Sequence, residues 1–190
     1  MLWFFEGLTS YYDDLLLRRS GLMDNTRYLQ GLNKTINQVL QTPGRHVHSL
    51  AQSSFEAWTK YYRADDNTPN ITVSYYTKGA LAGLCLDLRL RQMGHSLDAV
   101  MRGLWQRCKA GPMREQDLLD ELHALTDRSW QKEIQTWVHS TQELPLRELL
   151  SAHGIQVEAE TSAMAQRLGL RVGESAGSVQ IKAVLRGSAA

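Results

Sequence analysis

Several features that would have pointed to a function class are scarce or missing in this sequence. Its two cysteines, Cys85 and Cys108, stand in helix-like stretches without Cys-x-x-Cys spacing. That speaks against a disulfide framework or a thiolate metal site, and for small buried hydrophobes. No apolar run reaches the ~18–20 residues that a membrane span requires. The N-terminus has neither a basic n-region nor a small-residue cleavage site, so it does not read as a signal peptide, and a cytoplasmic location is expected. Lysines and arginines are scattered, no basic run interleaves with aromatics, and the formal charge is +1. Neither a nucleic-acid nor a membrane partner is therefore expected. Internal repeats and low-complexity segments are also lacking.

What is present reads as mainly helical, with the 43% hydrophobic and 22% charged residues of a globular protein. A strongly apolar stretch predicts a helix over Leu2–Arg19, stopped by Gly21. Asp24 to Thr26 offers a second start, and Leu29, Leu32, Ile36 and Val39 follow at helical spacing until Pro43-Gly44. An aromatic helix is expected from Ser49 to Arg63, burying Leu50, Phe55, Trp58, Tyr61 and Tyr62. Further helices are predicted over Tyr75–Gln92, Leu97–Cys108, Met113–Leu125, Trp130–Val138 and Leu146–Ala152. His46 and His48 lie between helices with no third ligand nearby and read as loop histidines rather than a metal pair. Asn70-Ile71-Thr72 fits a glycosylation sequon, discounted for want of a secretory context.

The pattern changes after Gly154. Ile155–Glu160, Gln166–Val172 and Ser178–Val184 alternate apolar and polar residues with the period of half-buried strands, and Gly173 to Gly177 reads as a turn. The sequence therefore divides into a helical part, residues 1–153, and a β-rich part, residues 154–190.

The N-terminal stretch sets Glu6 among large apolar neighbours, a costly place for a charge unless something compensates it. It reads either as a first-turn glutamate that favours the helix dipole and faces solvent, or as a buried metal ligand. The run Trp3-Phe4-Phe5-Glu6-Gly7-Leu8-Thr9-Ser10-Tyr11 resembles the Trp-x-x-Glu-Gly-x-x-x-Tyr segment of gluzincin metallopeptidases, and most closely that of the glycyl aminopeptidase family. Ser54-Phe55-Glu56-Ala57-Trp58 to Tyr62 is similar to the same family. So is the Tyr-x-Lys-Gly pattern of Tyr76 to Gly79, seventy residues after Glu6. Leu185 to Ala190 resembles the point where a bacterial-type PDZ domain continues.

The resemblance implies the C-terminal helical half of a thermolysin-like catalytic domain in residues 1–153, and the opening strands of an incomplete PDZ domain in residues 154–190. It implies hydrolysis of N-terminal residues from a peptide substrate, with Zn2+ as cofactor and Glu6 as the third zinc ligand. Tyr76 would donate a hydrogen bond to the oxyanion; Tyr75 is the other candidate, and the register of Lys78-Gly79 favours Tyr76. Asp13 is a candidate to support Glu6, and Lys78 reads as solvated or helix-supporting. A completed PDZ module would take a peptide or protein C-terminus. None of the six histidines lies in a His-Glu-x-x-His context. The expectation is thus a piece of such an enzyme that lacks two ligands and the general base, and is inactive alone. The competing reading is a non-enzymatic helical and PDZ-like interaction fragment, or an inactive gene remnant. If the resemblance carries over, Glu6 and Tyr76 face one cleft within roughly 10 Å of each other.

Overall fold

The computed structural model describes residues 1–109, 111–158, 167–175 and 177–190, and it is mainly helical. The helices are α1 (Leu2–Arg19), α2 (Asn25–Leu40), α3 (Leu50–Phe55), α4 (Thr68–Ile71), α5 (Tyr75–Gln92), α6 (Leu97–Cys108), α7 (Glu115–Thr126), α8 (Gln131–Trp137) and α9 (Leu146–Ala152). A 3-10 turn at Pro43–His46 precedes α3, and a π-helical turn at Ala57–Tyr61 follows it. Two strands close the chain, β1 (Leu170–Ser175) and β2 (Ser178–Val184). No described helix is long and apolar enough to cross a membrane.

The body is built around α5. Ser74 caps it, its hydroxyl accepting from the Thr77 amide. From there α5 is apolar on nearly every side: Tyr75, Leu81, Ala82, Leu84, Cys85, Leu86, Leu88 and Leu90 are all buried. A helix without a polar face must be wrapped by others, and α1, α2, α3, α6 and α9 do so. Cys85 lies in this core as a free thiol. One carboxylate is buried there as well. Asp87 accepts from Tyr11 Oη on α1 at 2.7 Å, from Arg91 Nε at 2.9 Å and from the Leu97 amide at the start of α6 at 2.8 Å. The buried charge thereby joins three helices and is compensated where it stands.

The single helix expected over Ser49–Arg63 is broken. After α3, capped by a reciprocal Ser49–Gln52 box, the chain makes an i→i+5 turn in which the Tyr62 amide donates to Ala57 O at 2.9 Å. Phe55, at the end of α3, is 89% exposed, and the extra residue of the turn leaves Trp58 72% and Tyr62 51% exposed. Ser53 and Ser54 are buried instead. Their hydroxyls have partners inside: Ser54 Oγ accepts from the Trp3 amide at 3.0 Å, and Ser53 Oγ shares a proton with Thr72 Oγ1 at 3.2 Å. The bond to Ser54 satisfies an amide at the start of α1 that would otherwise be orphaned.

His48 is buried beside this turn, its Nδ1 at 3.3 Å from Thr72 Oγ1 and its Nε2 at 3.0 Å from Lys60 Nζ. An ammonium can only donate. The imidazole therefore carries its proton on Nδ1 and donates it to Thr72.

The C-terminal hairpin is antiparallel, pairing Leu170 with Val184 and Ser175 with Ser178, with an irregularity between Arg171 and Val172. The second predicted strand begins later than expected, at Leu170, because Arg167 and Leu168 are helical and Gly169 turns the chain with a φ of 69°. The first predicted strand is not formed over Ile155–Glu158; Ala159, Glu160 and Gln166 lie outside the described residues. The hairpin is tied to the body by Asn70 at the end of α4. Its amide nitrogen donates to Val184 O at 2.9 Å, and its amide oxygen accepts from the Arg186 backbone at 2.8 Å. Arg171 adds a bond to Thr42 Oγ1 at 2.7 Å.

Candidate active site

α1 and α5 cross at two glycines. A β-carbon on Gly7 would lie 2.6 Å from Gly79 Cα, and one on Gly79 would lie 2.7 Å from Trp3 O. No side chain fits between the two backbones, so the helices touch through main chain. Glu6 directly precedes one glycine, and Tyr76 lies three residues before the other, one helical turn away on α5. The crossing brings these ends together. The negative charge of Glu6 reaches both phenols, adding to the upward shift of Tyr76 and opposing the downward shift of Tyr62.

Glu6 is half-buried, and its carboxylate has no hydrogen-bond partner among the described residues. α1 has no acidic residue in its first turn. Glu6 sits in the second, so the first-turn dipole reading does not describe it. Asp13 is exposed and makes no hydrogen bond to Glu6. Lys78 is corrected more sharply. It is only 2% exposed, pointing into the body rather than to solvent. Burial pushes its ammonium below the usual lysine range, with Glu143 the opposing influence.

Four tyrosines form the other side of the site. Tyr75 is 1% exposed and Tyr76 half-buried, with their rings 4.6 Å apart. Tyr61 packs on both, at 5.3 and 6.1 Å. The hydroxyl of Tyr62 meets that of Tyr75 at 3.0 Å and that of Tyr76 at 3.1 Å. Trp58 stacks on the Tyr62 ring at 4.9 Å. The hydrogen bonds from both neighbours pull Tyr62 below the ordinary phenol value; burial drives Tyr75 far above it, and the bond with Tyr62 raises Tyr76. Sequence reasoning missed Tyr62 in this place. It counted as one more core aromatic, and only the π turn brings its hydroxyl over α5.

A catalytic zinc takes three protein ligands. Among the described residues, no group of three or more histidine, cysteine, aspartate or glutamate side chains is arranged to hold a metal. His48, the buried histidine, is committed to Lys60 and Thr72. The described residues therefore do not fit a complete zinc site, and Glu6 alone could contribute one ligand.

The family model of the M61 glycyl aminopeptidases matches residues 1–82, a span that holds both Glu6 and Tyr76. The chain is similar to the crystal structure of an aminopeptidase N family protein from Idiomarina loihiensis, with a TM-score of 0.89 and 33% identity. The match covers 98% of this chain and 35% of that one, so the chain spans about a third of that protein's length. Comparison with curated proteins returned no match. The chain thus resembles the glycyl aminopeptidases in sequence over residues 1–82, and an aminopeptidase N family protein in fold over nearly all of its length.

Proposed function

We propose that this chain is part of a zinc-dependent aminopeptidase that removes N-terminal residues from peptides. In this reading Glu6 is one of three zinc ligands, and the two histidines and the general base come from polypeptide outside these residues. Residues 1–153 then form the helical part of the catalytic domain, and residues 154–190 the beginning of a PDZ-like module that takes a peptide or protein C-terminus. The chain alone neither holds zinc tightly nor turns over substrate. The observation that supports the reading is the crossing at Gly7 and Gly79, near which a half-buried carboxylate without a partner among the described residues lies beside a cluster of phenols.

Within that site the chain's own contribution to chemistry is a hydrogen bond. As a peptide carbonyl goes to its tetrahedral intermediate, charge grows on its oxygen. A phenol donates well there, because it is neutral near pH 7 and presents its proton from a rigid ring. Tyr76 suits the task better than Tyr75, which is enclosed.

The test uses a polypeptide in which a His-Glu-x-x-His-bearing segment of a glycyl aminopeptidase precedes Met1. Zinc-dependent hydrolysis of a glycyl anilide is expected. Tyr76→Phe should lower kcat by ~10²–10³ with zinc content unchanged, whereas Glu6→Gln should lose metal. Full activity in Tyr76→Phe with loss in Tyr75→Phe would move the role to Tyr75. Undiminished zinc content and activity in Glu6→Gln would overturn the reading and favour a non-enzymatic interaction module.

A further inference from the structure

We infer that Tyr62 is a positioning residue for Tyr76, holding its hydroxyl in place as the common partner of two phenols; the inference rests on the role proposed above for Tyr76. The argument begins with the innermost ring. Tyr75 is 1% exposed, and the partner of its hydroxyl among the described residues is Tyr62 Oη at 3.0 Å. A buried hydroxyl that left its proton unplaced would forfeit roughly 1–3 kcal/mol. Tyr75 therefore donates to Tyr62.

Tyr62 Oη also meets Tyr76 Oη at 3.1 Å, so one phenol oxygen with two lone pairs ties both neighbours. That bond is the largest influence raising the Tyr76 phenol, and it holds the hydroxyl on the half-buried side that Glu6 shares. Tyr62 is thus the common partner through which the enclosed Tyr75 and the half-buried Tyr76 are held in place.

The placement of Tyr62 is built rather than incidental. Its backbone closes the π turn on Ala57 O, its ring is stacked at 26° on Trp58, and the edge of Tyr61 meets it at 5.6 Å. A single π turn inside helical sequence is an uncommon device that often marks a functional position. Here it turns a phenol away from the core and toward the two at the start of α5. The strong upward push of burial on Tyr75 agrees with its place as a donor to Tyr62.

Two measurements test this, and they separate it from the reading on which it rests. The first uses the 190-residue chain labelled with carbon-13 at the tyrosine Cζ atoms. At neutral pH, Tyr62→Phe should shift the Cζ resonances of both Tyr75 and Tyr76, while helix content and the thermal midpoint hold, since Tyr62 is half exposed. A Tyr76 resonance that does not move overturns the inference, whatever Tyr76 does in catalysis. The second uses the extended polypeptide described above. Tyr62→Phe should lower kcat about tenfold, the worth of one hydrogen bond lost from the transition state, with KM within about twofold. Unchanged kcat in Tyr62→Phe, alongside a large loss in Tyr76→Phe, overturns the positioning role and leaves the functional reading intact. Full activity in Tyr76→Phe overturns that reading instead, even if the resonances shift.

Discussion

Gly7 and Gly79 are in backbone contact, and that contact brings Glu6 to the tyrosine cluster. A β-carbon on Gly7 would meet Gly79 Cα at 2.6 Å and Gly79 C at 2.7 Å. These are main-chain atoms that cannot swing aside. Gly7→Ala should therefore destabilise the fold by about 2–3 kcal/mol despite alanine's better helix propensity. Urea denaturation measures it. Stability equal to or above wild type would mean that the two helices are not held by main-chain contact.

Asp87 offers a second measure of how the core is held. Asp87→Ala leaves the Tyr11 hydroxyl and the Leu97 amide buried without an acceptor. A loss of about 3–5 kcal/mol is expected. Adding Tyr11→Phe to that variant should recover about 1 kcal/mol, because one stranded donor is then gone. Two additive losses would show that the carboxylate and the phenol act independently.

Lys78 gives a pH-dependent prediction. Its pKa is lowered in the fold, first by burial and then by Arg45, so folding is opposed while the amine is charged. Stability should rise as pH climbs through the lowered folded value, until about 10.4, where the unfolded lysine also deprotonates. Lys78→Met should be at least as stable as wild type near neutral pH and should lose this alkaline gain. Denaturation midpoints at neutral and alkaline pH check both points. A large destabilisation by Lys78→Met would mean that the ammonium has a compensating partner after all.

His48 works on the acid side. Burial first, and then the charge of Lys60, lower its pKa, with Glu56 pulling the other way. The neutral imidazole is the one the fold accommodates, so its contribution is complete above about pH 6.5 and is lost as pH falls through the lower folded value. His48→Gln should be less stable than wild type at neutral pH yet lose less on acidification. Thermal midpoints between neutral and mildly acidic pH are the readout, and parallel curves for the two proteins would refute the assignment.

Long apolar elements were the legible part of this sequence. α1 and α5 begin and end where their hydrophobic runs predict, because nothing in them competes with helix. The roles proposed for Glu6 and Tyr76 rest on resemblance; no periodicity distinguishes the two from core residues. The segment from Ser49 to Arg63 failed for a physical reason. Counting aromatics predicts a buried face, but two serines with internal hydrogen-bond partners took it, and the π turn sent Trp58 and Tyr62 outward. Lys78 misled in the same way, since composition gives no sign that a lysine will be enclosed. The later start of β1 follows from the helical residues and the positive-φ Gly169 just before it, which alternation alone cannot reveal.

Asn70 carries a consequence for covalent modification. The sequon Asn70-Ile71-Thr72 is complete in the sequence, yet Asn70 is 7% and Thr72 4% exposed. The amide nitrogen that would receive a sugar is already donating to Val184 O, while the oxygen of the same group holds the Arg186 amide. An oligosaccharide at this asparagine could be attached only to a chain whose C-terminal hairpin had not yet docked, and it would then keep the hairpin from docking. In the folded protein, the sequon is closed to glycosylation.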